Sequence, residues 1–210
     1  MKIFILVLIY LLTIGQTNIG YADDGSKGPE MKNKKLEKAT FAGGCFWCMQ
    51  YPFDKLEGVV STTVGYIGGH KEGPAYEEVC AGKTGHAEAI EIQYDPSLIA
   101  YSGLLDVFWR NINPTTLNRQ FVDAGTQYRT VIFYHDNEQK RLADESKKAL
   151  DKSGKYDKPI VTEITPASMF YKAEEYHQQY YEKNSIRYKL YKSGTGRDQY
   201  LENVWGKDSE

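Results

Sequence analysis

The period of the apolar positions changes along the chain, and each change marks an expected element. Ile3 to Ile14 is a continuous apolar run behind a basic Met1-Lys2 start, and it is short for a membrane span. Gly20-Tyr21-Ala22 forms a small-x-small site, followed at once by Asp23-Asp24. Residues 1–22 therefore read as a secretory signal peptide, with an uncleaved anchor as the alternative. Residues 23–37 are polar, charged and glycine-bearing and read as a tether, so the fold is expected from Lys38.

Ala39 to Ala42 reads as a strand, Gly43-Gly44 as a turn, and Cys45 as the opening of a helix to about Leu56. Phe46, Met49, Phe53 and Leu56 recur at helical spacing and should pack inward. Trp47 lies off that stripe, and Pro52 should disturb or kink the helix. Val59 to Tyr66 reads as a second strand. A long glycine-bearing loop follows to about Gly85, with a short helical piece from Ala75 to Cys80. Long ordered loops are often functional, and a flexible excursion is the other reading. His86 to Tyr94 alternates strictly, with Glu88, Ile90, Ile92 and Tyr94 on one face.

Residues 101–111 form a helix with Leu104, Leu105, Phe108 and Trp109 inward. Asn113 to Tyr128 is an irregular connection carrying Asp123, Gly125 and Gln127. Arg129 to Tyr134 is a β-branched and aromatic strand. Asp136 or Asn137 caps a helix to about Lys152, and Ser153-Gly154 stops it. Pro159 to Thr165 reads as a strand and Tyr171 to Lys183 as a helix. Ser193 to Glu210 reads as irregular. Four or five strands and four helices predict an α+β two-layer sandwich, helices flanking a mixed sheet, with a ferredoxin-like core.

Length and charge narrow the class. The 210 residues suffice for one domain with a sizeable core. The net charge is −2; removing residues 1–22 takes away Lys2 and no acid, which makes it −3. No nucleic-acid footprint results. Tyrosine is frequent, at 17 residues, which suggests a polar-aromatic surface or pocket. No phosphate-binding loop or internal repeat is present.

The candidate chemistry starts at Cys45. A helix start offers unpaired N–H groups and a positive end that stabilise a thiolate, and Cys48 lies about one turn further on. Phe46 and Trp47 add apolar rings beside the sulfur, so the stretch reads as a thiol redox site with an apolar pocket. Half of a zinc site and a structural disulfide are the alternatives; Cys80 and His86 fit no common zinc spacing. Export favours pairing of Cys45 with Cys48 and leaves Cys80 as the odd thiol of three. Glu88 lies on the apolar face of its strand, where desolvation favours a neutral, proton-donating carboxyl, unless the strand's start is solvated.

Six motifs in order then carry a resemblance. They are Gly44-Cys45-Phe46-Trp47, Gly65-Tyr66-x-Gly68-Gly69, Tyr76-x-Glu78-Val79-Cys80, Thr84-Gly85-His86-Ala87-Glu88, Gly125-Thr126-Gln127-Tyr128-Arg129 and Ala173-Glu174-x-Tyr176-His177-Gln178. Over Lys38 to Gly206 the chain closely resembles peptide methionine sulfoxide reductase A, in its subset with a Gly-Cys-Phe-Trp-Cys motif.

The resemblance implies reduction of the S epimer of methionine sulfoxide, free or in proteins, to methionine. It implies Cys45 as nucleophile, Phe46 and Trp47 as holders of the substrate methyl, and Glu88 as the acid on the sulfoxide oxygen. Tyr76 and Tyr128 would place hydroxyls on that oxygen, and Asp123 would order the polar side. Cys48 would resolve the sulfenic acid to a disulfide that a thioredoxin-like dithiol reopens. Relatives with resolving cysteines in a glycine-rich tail differ, because Tyr188 to Gly206 holds none. Cys80 is the alternative resolver, and His177 serves packing or catalysis. No bound cofactor or metal, an exported monomer and no membrane span in the mature form are expected. A general thiol–disulfide oxidoreductase and an inactive tyrosine-rich binding module are the rival readings.

Overall fold

Alternating apolar residues make a sheet whose two faces are both covered. The computed structural model describes residues 35–206. The leader read at 1–22, all but the last three residues of the tether and the tail at 207–210 lie outside them. In chain order the first elements are β1 (Glu37–Gly43), α1 (Phe46–Asp54), β2 (Val59–Ile67), α2 (Tyr76–Cys80), β3 (Ala87–Tyr94) and α3 (Tyr101–Arg110). Next come the two-residue strands β4 (Arg119–Gln120) and β5 (Asp123–Ala124), then β6 (Thr130–Tyr134) and α4 (Asn137–Lys152). The chain closes with β7 (Glu163–Pro166), β8 (Tyr171–Lys172), α5 (Tyr180–Lys183), α6 (Ser185–Gly194) and α7 (Arg197–Trp205).

The main sheet has six strands in the order β7-β6-β1-β3-β2-β8. Its centre, β6-β1-β3-β2, is antiparallel throughout, with α1 and α3 as the two crossovers. This is the expected ferredoxin-like core. β7 adds parallel to β6, which makes the sheet mixed. Phe41, Ile90, Ile92 and Ile132 pack on Met49, Phe53, Leu104 and Phe108 of the helices. The opposite face buries Ala42, Ile67, Ala87, Ala89, Val131 and Phe133. The Asp136 carboxylate accepts from Gln139 N–H and caps α4, as expected.

The C-terminal third differs from its expectation. Tyr171 to Lys183 is not one helix. It is the edge strand β8, a 3-10 turn at Glu175–His177 and the short α5. The Gln178 side chain explains why. Its Oε1 accepts from Val64 N–H at 3.0 Å, and its Nε2 donates to the carbonyls of Val64 and Ala173, both at 2.9 Å. Gln179 then takes left-handed geometry, φ 47°, so the run cannot stay helical. Gly65 permits the preceding strand to dock, since a Cβ there would meet Tyr171 O at 2.3 Å.

Ser193 to Gly206 is not irregular either. α6 runs through Gly194 and α7 from Arg197, with Gly196 at φ 73° breaking the two apart. The expected strand at 159–165 is shorter and later, Glu163–Pro166, and Pro52 sits inside the last turn of α1.

Candidate active site

β1 ends in a turn that only glycine can make. Gly44 has φ +84°, and a Cβ there would come within 2.5 Å of Gln120 Cβ and 3.3 Å of an Arg197 Nη. That turn delivers Cys45 as the residue capping α1, with the helix proper starting at Phe46. Cys45 and Cys48 are free thiols, 6% and 2% exposed, not a disulfide.

Beside Cys45 stands Glu88, 2% exposed on β3. Phe46 N–H donates to its Oε2 at 3.1 Å, which fixes the carboxyl against the start of α1. Burial pushes its pKa up to about 8; the Phe46 N–H pulls the other way without reversing that, and Asp123 and Cys48 add to the rise. At neutral pH Glu88 therefore holds its proton, and its burial is what the alternation of β3 led one to expect.

The thiolate expected at the helix start does not follow for Cys45. Burial, the Cys48 sulfur and the Glu88 carboxyl all push the Cys45 thiol up, against a hydroxyl from Tyr191. Cys48 goes the other way, lowered by its hydrogen bond from Cys45 and by Arg197 and Lys192 against burial. The two titrate as a pair in which Cys45 keeps the proton at rest.

An aromatic wall faces these groups. Phe46 is fully buried among Val64, Tyr66 and Val79. Trp47 is half-buried, as expected of the residue off the core stripe. Its indole lies flat on Tyr180, centroids 3.8 Å apart at 6°, and its N–H donates to His177 Nδ1 at 3.0 Å. That bond leaves the proton of neutral His177 on Nε2, which has no hydrogen-bond partner and lies 3.9 Å from Glu174 Oε2. Burial pushes the His177 pKa down. His177 thus holds Trp47 in place.

Tyr76 of α2 and Tyr128 are both electrostatic neighbours of the Glu88 carboxyl. In this structure both hydroxyls also interact with the Cys80 thiol, so the odd cysteine borders the site. Glu174 supports Tyr76 from behind, accepting from its backbone N–H at 3.0 Å and from Tyr66 Oη at 2.8 Å. The other motifs are braces. His86 Nδ1 accepts from Gly69 N–H and its Nε2 donates to Lys71 O. Gln127 donates to Cys80 O, and Arg129 to Gly85 O. The long loop is thereby ordered around Tyr76.

Asp123 of β5 closes the polar side. Burial raises its pKa against Arg197 and the hydroxyl of Tyr191, which donates to Oδ2 at 2.6 Å. Sequence reasoning missed Tyr188 and Tyr191, which lie in a stretch assigned to no element, and Arg197, which lies in the tail read as irregular. Tyr188 packs with Cys48 and Tyr180. Arg197, 1% exposed, reaches through the core to Gly43 O at 3.3 Å and to Asn111 O. The spacing of Tyr188 with Tyr191, and of Arg197 with Leu201, was the signal of two helices. Two surface clefts, one lined by Asp54, Thr62 and Tyr181 and one by Arg129, Glu163 and Pro166, include neither Cys45 nor Glu88. The chemistry lies elsewhere, where nucleophile, acid and apolar wall meet.

The chain can be matched with known proteins on this geometry. A family model described as peptide methionine sulfoxide reductase matches residues 37–209. The peptide methionine sulfoxide reductase MsrA of Listeria monocytogenes serotype 4a (strain HCC23) is 52% identical over 175 residues, 83% of this chain and 99% of that protein. Mxr1 of Saccharomyces cerevisiae in reduced form superposes with TM-score 0.69 at 35% identity, covering 74% of this chain and 90% of Mxr1. Mxr1 in complex with Trx2 matches at TM-score 0.50 and 27% identity, over 73% and 91% of the two chains.

Proposed function

The chain belongs to the peptide methionine sulfoxide reductase family, and from that premise we propose how its residues divide the work. The activity is thiol-dependent reduction of methionine sulfoxide to methionine. The observation that carries the division is the Glu88 carboxyl, fixed by Phe46 N–H at 3.1 Å beside the Cys45 cap of α1.

The substrate's methyl group lies against Phe46 and Trp47, and its oxygen meets Glu88, Tyr76 and Tyr128. Sulfoxide oxygen leaves poorly until protonated. Cys45 sulfur bonds to the sulfoxide sulfur as Glu88 protonates the oxygen. The hydroxyl then passes to Cys45 sulfur, the sulfur–sulfur bond breaks, and methionine departs. Two electrons have moved from Cys45 to the methionine sulfur, and Cys45 is a sulfenic acid. Asp123 orders the polar side of the site.

Cys48 then attacks the Cys45 sulfur, a disulfide forms, and water leaves. The lowered pKa of Cys48 suits it to that attack. A thioredoxin-like dithiol reopens the bond; the yeast relative solved with Trx2 supports this donor. The leader-like residues 1–22 support export, and a mature N-terminus at Asp23 of protein recovered from a secreting host checks this.

The test of function is turnover of the separated R and S epimers with dithiothreitol. Consumption of the S epimer alone is expected, and equal consumption of both would overturn the assigned pocket. For Cys48→Ser, one methionine per chain and then a halt at the sulfenic acid is expected with thioredoxin as donor. Sustained turnover there would remove Cys48 as resolver.

A further inference from the structure

Cys45 must lose a proton before it attacks, yet the structure holds it as a thiol in a buried place. Glu88 cannot take that proton, because it is the group that must give one. Two acceptors touch Cys45. One is the Cys48 sulfur. The other is the hydroxyl of Tyr191, on α6.

Tyr191 is held for that position. Its ring meets Trp47 edge-on, centroids 5.9 Å apart at 82°. Its hydroxyl donates to Asp123 Oδ2 at 2.6 Å. The same hydroxyl has a hydrogen-bonding interaction with the Cys45 sulfur. The Tyr191 oxygen, hydrogen-bonded to the Asp123 carboxylate, therefore stands next to the Cys45 sulfur.

Resting on the methionine sulfoxide reductase reading, we propose that Tyr191 is a further catalytic residue, which relays the Cys45 proton to Asp123 as the sulfur attacks the sulfoxide.

The step balances. The Cys45 S–H bond breaks and its proton joins the Tyr191 oxygen, while the Tyr191 proton passes to Asp123 Oδ2. The freed electron pair forms the bond to the sulfoxide sulfur. Glu88 supplies the proton of the sulfenic hydroxyl. The proton held on Asp123 returns through solvent to Glu88, so the protein ends with one thiol oxidised and no net proton gained. The site then holds two carboxyls in opposite roles on either side of one sulfur. The charged and titratable groups that face these three residues are Cys48, Glu88, Tyr128, Tyr188, Arg197 and Lys192.

The chemistry also explains why α6 belongs to the site. Tyr191 has no counterpart on the sheet, so the relay exists only when the C-terminal helices are docked.

The test compares the wild-type chain, Tyr191→Phe, Asp123→Asn and the double variant, with reductant absent and methionine counted after rapid quenching. Each single change should slow the first turnover about 10- to 100-fold. The double variant should be no slower than the slower single, since both break one chain. A first turnover at the wild-type rate in Tyr191→Phe, or losses that multiply, would overturn the relay and send the proton to Cys48. A second readout needs no sulfoxide. In a Cys48→Ser, Cys80→Ser chain, the pH midpoint of Cys45 alkylation by iodoacetamide should rise when Tyr191→Phe is added. An unchanged midpoint overturns the proposal. Normal wild-type turnover with either overturning result removes the relay alone; no wild-type turnover on either epimer removes the function reading itself.

Discussion

A single carboxyl sets how this protein responds to pH. Glu88 is pushed from an ordinary 4.5 to about 8 by burial. Between those values the folded chain holds a proton that the unfolded chain has released, so stability falls as pH rises through that window. Each pH unit of it costs up to about 1.4 kcal/mol. Glu88→Gln should therefore melt higher than wild type at pH 9 and alike at pH 4, by calorimetry across pH. The same substitution should slow the first turnover by roughly 10²-fold or more, because a general acid is lost. A variant that is neither stabilised at pH 9 nor slowed would show a solvated carboxylate. Gly44 acts at the same scale. Gly44→Ala must force φ +84° on alanine and push Gln120 away, so Cys45 alkylation and turnover should both change while the sheet survives.

At the scale of elements, the β2 edge is where tertiary contacts overrule local preference. Ala173 to Lys183 is rich in helix formers, and the expected helix there followed from propensity alone. Gln178 offers its amide to the backbone of Val64 on both sides, Glu174 binds Tyr66 and Tyr76, and Gln50 Oε1 accepts from Gln179 N–H at 2.9 Å. No sequence window of ten residues contains both ends of these bonds. Gln178→Leu should lower stability by roughly 2–4 kcal/mol in urea unfolding, since buried backbone groups lose their partners. Loss below about 0.5 kcal/mol would show that the edge does not need the brace.

What was legible follows the same divide. β1, α1, β2, β3, α3, β6 and α4 were readable because each carries its own periodicity, turn residues or cap. Glu88 was readable from alternation within one strand. Cys45, Phe46 and Trp47 were readable as a contiguous stretch. Tyr191 and Arg197 were not, because their meaning lies in Asp123, Cys45 and Gly43, which are between 68 and 154 residues away in the chain. The glycines between them, Gly194 and Gly196, read as a dissolved tail, whereas they separate two docked helices.

The whole molecule is tied shut from its C-terminal end. α7 places Trp205 between the Arg110 guanidinium and the Lys155 ammonium, at 4.8 and 4.7 Å from the ring centre. Arg197 threads from α7 to the turn before Cys45. Cys48 is buried against Tyr180, Tyr181 and Tyr188 of the preceding helices α5 and α6. A protein reductant needs a sulfur it can reach, so recycling should depend on parting these helices. The steady-state rate should level off as thioredoxin rises, while the first turnover stays fast. Trp205→Ala, which loosens the cover, should raise that plateau; a plateau that stays put would place the limit in exchange chemistry.

The concealed sulfur also settles how the enzyme survives its own working conditions. Methionine sulfoxide accumulates where peroxides do, and peroxides attack accessible thiolates. Cys45 is neither accessible nor, at rest, a thiolate. It should lose activity to hydrogen peroxide far more slowly than a free cysteine is oxidised. A repair catalyst built in this way outlasts the insult that creates its workload.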